Sequence, residues 1–385
     1  MNELFKEFAK FVHDLYSSND FIPLHEPIFQ GSEKEYLIET INSSYVSSVG
    51  VYVSEFEAQV AEFSGAKYAI ATNNGTAALH IALLLAGVKS GDEVITQSLT
   101  FVATCNAIRY CNAEPVFIDV DKETLGLSPD CLERFLLENT HMDDEGICIN
   151  RETNRPVRVC MPMHTYGHPV RLKEIQKICK KHNIAMVEDA AESLGSYYQN
   201  KHTGTFGKLS ALSFNGNKII TTGGGGMVLT NDKNIADRVK HITTTAKKPH
   251  AWAFEHDEIG FNYRMPNINA ALGCAQIKAL PKFLVSKRSI AQRYKSWFAG
   301  SGIQFFNEPK NACSNYWLNA VILENRQQRD EMLKLTNENG VMTRPVWVPM
   351  HQLSMNKNCQ KYFLVNTEWL ADRLVNIPSS AIIND

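Results

Sequence analysis

The sequence predicts an α/β protein with a large, mainly parallel sheet domain followed by a smaller α+β domain. From residue 68 to 230, short apolar runs alternate with helical patterns, as in strands joined by crossover helices. Beyond about residue 265 the pattern changes, and long helical stretches precede a few short strands. The length of 385 residues accommodates two domains, or one large domain with an appendage. These changes predict an N-terminal arm over 1–21, a large domain over 22–265 and a small domain over 266–385.

Composition excludes several function classes. Hydrophobic content of 44% and charged content of 21% belong to an ordinary globular chain, not a disordered one. A net charge of -2 offers nothing to attract nucleic acid or an anionic membrane surface. No run approaches the roughly 20 apolar residues of a membrane helix. No signal peptide is expected, because Glu3, Lys6, Glu7 and Lys10 interrupt any apolar core. Nine cysteines without a C-x-x-C pair read as reduced thiols, which predicts a cytoplasmic protein.

In chain order, Leu4, Phe5, Phe8, Phe11, Val12, Leu15 and Tyr16 form one apolar stripe at helical spacing. This predicts an amphipathic arm lying on its own domain or on a partner subunit. Ile22-Pro23-Leu24 opens an irregular region that lasts to Gly50. Ser54 and Glu57 then suggest a capping box for a helix with apolar face Phe56, Val60 and Phe63, stopped at Gly65. Tyr68 to Ala71 is a short buried strand that runs through Asn74-Gly75-Thr76 into a helix over 77–86. Exposed N–H groups at such a helix start, with a threonine hydroxyl beside them, suit a phosphate. An ordinary N-cap by Thr76 accounts for the same residues.

Val94 to Thr96 and Val116 to Val120 read as further strands around a helix near 102–110, and residues 139–158 as a polar surface excursion. The strand Val159 to Met161 leads into a loop containing His164, Tyr166 and His168. Gly167 and Pro169 argue against a helical His pair, and no Cys/His/carboxylate cluster accompanies it, so no metal is expected. After a helix over 172–181, the strand 184–187 ends in Glu188-Asp189. An acid at the carboxyl end of a parallel strand points into the crevice where such sheets bind ligands, although a helix cap is the commoner use. Further on, 268–280 and 285–298 are helical and meet at Pro281. Short strands near 317–323 and 346–347 and a helix over 330–339 follow.

Ala211 to Phe214, Lys218, the glycine run Gly223 to Gly226 and Met227 to Thr230 read as strand, loop, strand. A lysine at the mouth of a strand, walled by Ser, Asn and Thr, can serve Schiff-base chemistry once partial burial lowers its pKa. A solvated surface lysine and a flexible glycine turn are the commoner reading of the stretch alone. It is not a phosphate loop, since no Gly-Lys-Ser/Thr ending is present.

The stretches together resemble the DegT/DnrJ/EryC1/StrS family of sugar aminotransferases, from about Ile22 to the C-terminus. The resemblance rests on Asn74-Gly75-Thr76-Ala77-Ala78-Leu79, Thr100-Phe101-Val102-Ala103-Thr104, Glu188-Asp189-Ala190-Ala191, Ser213 to Lys218, and Gly260-Phe261-Asn262-Tyr263-Arg264-Met265. It implies fold type I, the aspartate-aminotransferase-like architecture, with pyridoxal 5'-phosphate bound by the large domain. Lys218 is similar to the lysine that forms the internal aldimine, and Asp189 to the acid that pairs with the pyridine nitrogen. Gly75, Thr76 and Ser213 resemble the phosphate cup, and Phe101 the ring stacked on the cofactor. Asn262 matches an asparagine that reaches the neighbouring subunit's phosphate, which implies a homodimer with shared sites. Glu192 departs from the glutamine of many members. A carboxylate facing the cofactor's phenolic oxygen would repel it unless protonated or turned away, so Glu192 is a site residue of open role. Relatives that dehydrate sugars carry histidine in place of Lys218, so its presence implies transamination.

A finer resemblance lies in Ile22 to Pro27, Met161 to Pro169 and Trp347 to His351. These look like the branch that aminates C4 of UDP-2-acetamido-2,6-dideoxy-4-ketohexose with L-glutamate, on routes to legionaminic acid or bacillosamine-type sugars. The alternatives are a 3-keto or a GDP-linked ketosugar, and, from another class, a non-catalytic scaffold of the same fold. His164, Tyr166, Arg344 and His351 are the candidate contacts to the nucleotide sugar.

Overall fold

The computed structural model describes residues 1–383. Its main sheet has eight strands, in spatial order Tyr68–Thr72, Gly226–Thr230, Leu209–Ser213, Ala185–Asp189, Val157–Met161, Glu93–Gln97, Glu114–Ile118 and Lys361–Tyr362. Gly226–Thr230 pairs antiparallel with both neighbours, while the other pairs in the sheet are parallel. Alternate residues feed cores on the two faces. Val94, Val159 and Val187 pack with the helix Gly75–Ala86, and Ile95, Cys160 and Met186 with the helices Pro129–Asn139 and Leu172–Lys181. Burial on both faces is why these strands read as unbroken apolar runs.

A second, antiparallel sheet joins Gln304–Phe305, Asn319–Ile322, Leu374–Ile377 and Arg344–Pro345. The helix Asn267–Phe298 ties the two sheets together and runs through Pro281 without ending. An interior proline costs a helix about 3 kcal/mol, and here Ile277, Leu280 and Phe283 hold that stretch in the core. The N-terminal helix Asn2–Tyr16 lies on its own chain: Phe8 packs 5.1 Å from both Trp297 and Phe298, and Phe11 stacks 5.6 Å from Trp297.

Several local expectations are corrected. The helix expected to start at Ser54 starts at Val51, with Gly50 as its N-cap, because Asn267 Oδ1 accepts from Tyr52 N–H at 3.1 Å. A remote side chain thus replaces the local capping box. The region after Ile22 contains the helix Glu33–Asn42, whose Ile38 and Ile41 are exposed while Glu33 and Thr40 are buried; it carries no apolar stripe to read. The helices Pro129–Asn139, Lys233–Thr243 and Val365–Ala371 and the strand Leu374–Ile377 were likewise not foreseen. The polar excursion holds a small hairpin, Thr140–Met142 with Cys148–Asn150.

Candidate active site

The carboxyl ends of the parallel strands converge on one cavity of about 320 Å³. Each strand delivers a wall. Tyr68–Thr72 leads to Asn74, Gly75 and Thr76, Glu93–Gln97 to Phe101, and Val157–Met161 to Met163. Ala185–Asp189 ends in Asp189 itself, just before Glu192, and Leu209–Ser213 ends in Ser213 before Lys218. Trp317 and Trp347 close the cavity from the second sheet's side.

The helix Gly75–Ala86 is capped by Asn74, whose Oδ1 accepts from Ala77 N–H at 2.7 Å. Thr76 is therefore not the N-cap. The first N–H groups of a helix have no intrahelical acceptor, and Gly75 and Thr76, which open this one, line the cavity. Two glycines allow this. A Cβ on Gly75 would lie 2.8 Å from Ser213 Cβ, and one on Gly226 would lie 2.3 Å from the Asn74 carbonyl oxygen. The glycine run is thus a close backbone contact between the lysine loop and the Gly75 turn, not a slack linker.

Asp189 is 2% exposed. Its Oδ2 accepts from Thr104 Oγ1 at 2.7 Å and its Oδ1 from Ala191 N–H at 3.2 Å. Burial pushes its pKa up, against the pull of these bonds and of the Lys218 charge. The Lys218 ammonium sits 3.9 Å from the centre of the Trp317 ring and 3.2 Å from Glu192 Oε1. Glu192 Oε2 accepts from Tyr166 N–H at 2.9 Å, and burial pushes this carboxyl up to about 7. Trp317 also donates its indole N–H to the Asn217 carbonyl at 2.7 Å, which fixes the lysine loop from the second sheet's side.

Of the residues read from the sequence, Gly75, Thr76, Phe101, Asp189, Glu192, Ser213 and Lys218 come together in this cavity. His164, Tyr166 and His351 do not line it. His164 is fully buried with Nε2 3.2 Å from Glu188 Oε2, Tyr166 receives a hydrogen bond on its hydroxyl from Asn376, and His351 Nδ1 lies 2.8 Å from Ser98 Oγ. Arg344 is exposed on the strand Arg344–Pro345, outside the cavity wall. Asn262 also lies outside its own chain's cavity, where its Oδ1 accepts from Arg264. Trp317 was missed; it follows Lys218 by about a hundred residues and had only the look of a strand start.

A profile described as the DegT/DnrJ/EryC1/StrS aminotransferase family matches residues 27–385. The chain belongs to this family. The aminotransferase is 39% identical over 360 residues to the GDP-perosamine synthase of Escherichia coli O157:H7, covering 93% of each protein. It is 36% identical over 364 residues to the GDP-perosamine synthase of Vibrio cholerae, covering 93% of this chain and 94% of that protein. Among solved structures it resembles the aminotransferase TlmJ from Streptoalloteichus hindustanus, with a TM-score of 0.85 and 26% identity over 95% of each chain. The fold is therefore type I, and the chain is a sugar aminotransferase dependent on pyridoxal phosphate. Its cavity suits that cofactor. A helix start with open N–H donors and the Ser213 hydroxyl answers a phosphate, a buried carboxylate answers a ring nitrogen, and an amine stands within the same walls.

Proposed function

We propose that the aminotransferase moves an amino group from L-glutamate to C4 of a nucleotide-linked 4-keto-6-deoxyhexose. The observation that carries this is the meeting of Lys218, Asp189 and the open N–H groups of Gly75 and Thr76 in one cavity with an aromatic mouth. In this reading Gly75, Thr76 and Ser213 hold the phosphate, each charge-assisted bond contributing about 1.5–3 kcal/mol. Phe101 lies against the cofactor ring, and with Trp317 and Trp347 it keeps water from the reacting atoms. Asp189 holds a proton on the ring nitrogen; its burial at the cavity wall, with Thr104 and Ala191 fixing both carboxylate oxygens, supports that pairing. Pyridoxal phosphate, when bound, supplies a ring that accepts the electron pair left when a substrate carbon loses its proton. Lys218 takes that proton from the glutamate carbon, and in the second half of the cycle returns one to C4 of the sugar.

We further propose a homodimer in which Asn262 completes the partner's phosphate site; its position outside its own cavity supports this. For the sugar, the motifs at Ile22 to Pro27, Met161 to Pro169 and Trp347 to His351 favour UDP-2-acetamido-2,6-dideoxy-4-ketohexose, and Met163 and Trp347 from these motifs reach the cavity. A GDP-linked 4-ketosugar is the second reading, favoured by the two relatives named GDP-perosamine synthase. The test is amination of UDP- and GDP-linked 4-ketosugars with glutamate, the nitrogen placed by mass spectrometry after borohydride reduction. We expect nitrogen at C4; nitrogen at C3 overturns the proposal, and the preferred nucleotide decides between the two readings.

A further inference from the structure

Glu192 meets Lys218 as a buried ion pair. The carboxylate is 2% exposed and the ammonium 12%. Neither group is free to swing away. Asn315 Nδ2 donates to the carbonyls of Glu192 and Leu194 at 2.9 Å, the Tyr166 amide holds the second carboxylate oxygen, and the Trp317 ring lies under the ammonium. A pair held this way would oppose cofactor loading if it stayed ionic. Only a neutral amine attacks a carbonyl.

We propose that Glu192 is the base that frees Lys218 to bond the cofactor. This rests on Lys218 being the lysine that holds pyridoxal phosphate. The proton passes from Lys218 Nζ to Glu192 Oε1, and the neutral amine adds to the aldehyde carbon, forming a C–N bond as one amine hydrogen moves to the former carbonyl oxygen. Glu192 then returns its proton to that oxygen, which leaves as water. A C=N bond remains with one proton on nitrogen, Glu192 is an anion again, and no net proton is exchanged with solvent. The carboxyl's raised pKa, about 7 by burial, makes it a better acceptor than an ordinary glutamate. The charged and titratable groups around the pair are Asp189, which raises Glu192 further, the Tyr166 hydroxyl, the His164–Glu188 pair behind Asp189, and His25 facing Lys218.

A pair that shares one proton keeps a constant fraction of its neutral tautomer as pH changes. A lysine alone becomes neutral tenfold more often per pH unit until its own pKa. The experiment mixes cofactor-free protein with pyridoxal phosphate from about pH 7 to about pH 9.5 and follows the visible band of the lysine-bound cofactor in a stopped-flow instrument. Titrations of the cofactor itself affect all variants alike and cancel when rates are taken as ratios to the parent. We expect the ratio of Glu192→Gln to parent to rise about tenfold per pH unit. A ratio that does not change with pH overturns the role of Glu192. Glu192→Ala, read with and without added formate, asks the same by rescue: faster band formation supports the base role, and no acceleration overturns it. Lys218→Ala separates the two levels. A band that persists in it overturns the lysine assignment, whereas its loss beside a pH-independent Glu192→Gln ratio overturns only the base.

Discussion

Replacing Gly75 by alanine tests the phosphate cup, because the structure sets two opposing magnitudes. The new Cβ would lie 2.8 Å from Ser213 Cβ and 3.1 Å from Ser213 Oγ. Carbon atoms settle at about 3.5–4.0 Å, so one partner must give way by roughly 1 Å. Ser213 is poorly placed to do so, since it is in register with Gly226, which is pressed against the Asn74 carbonyl. Such overpacking costs about 1–3 kcal/mol, while alanine's higher helix propensity offsets up to about 1 kcal/mol. The variant should therefore fold, with its stability lowered by about 3 kcal/mol at most. Cofactor binding should suffer more. A displaced Ser213 hydroxyl forfeits a charge-assisted bond of about 1.5–3 kcal/mol, a loss of about 10- to 150-fold in affinity. Absorbance titration of pyridoxal phosphate into cofactor-free protein, with thermal melting of the same samples, reads both quantities. An affinity within about twofold of the parent would refute a phosphate seated beside Gly75.

Two other predictions follow from features of the same region. Lys218→Ala chains mixed with Asn262→Ala chains should regain activity after subunit exchange, because one mixed site is intact; activity no better than the average of the two variants would return Asn262 to its own subunit. Glu188 is fully buried and would be pushed up by burial, but its bond to His164, that residue's charge and the Gly207 and Gly204 amides outweigh this and hold its pKa below the usual value. A depressed carboxyl adds stability above its unfolded pKa of about 4.3, and that stability disappears as pH falls through the folded value. Glu188→Gln should be less stable at neutral pH, yet lose less on acidification below about pH 4. Urea midpoints across pH measure this, and parallel acid limbs in parent and variant would exclude Glu188 as the group responsible.

The site was legible where it sits at strand ends. Asp189, Ser213 and the Gly75 turn each follow a short apolar run, and in a parallel sheet that position fixes the direction of approach to the crevice. Loop residues gave no such constraint. His164, Tyr166 and His351 have side chains suited to a sugar, but sequence cannot show which way a loop faces, and each found a buried partner instead. Trp317 reaches Lys218 only through tertiary folding. The helix Val51–Ser64 starts where Asn267 caps it, a contact across more than two hundred residues that no local motif encodes. Patterned helices such as Val102–Tyr110 and Leu172–Lys181 were plain, while Glu33–Asn42, with charged and exposed apolar faces intermixed, was not.

The packing of Asn2–Tyr16 against Tyr294, Phe298, Met332 and Val375 has a consequence for the chain during its synthesis. This helix leaves the ribosome well before the residues that cover it are made. At about 5–20 residues per second, roughly 290 residues separate Phe8 from its aromatic partners by about 15 to 60 s. Throughout that interval the stripe of Phe5, Phe8 and Val12 lacks the surface that covers it in the folded chain, and such transiently exposed apolar surface is what chaperones hold. Closure of this helix waits for the residues of that cluster, so a translation product stopped before residue 294 carries an uncovered apolar stripe that distinguishes it from the folded enzyme.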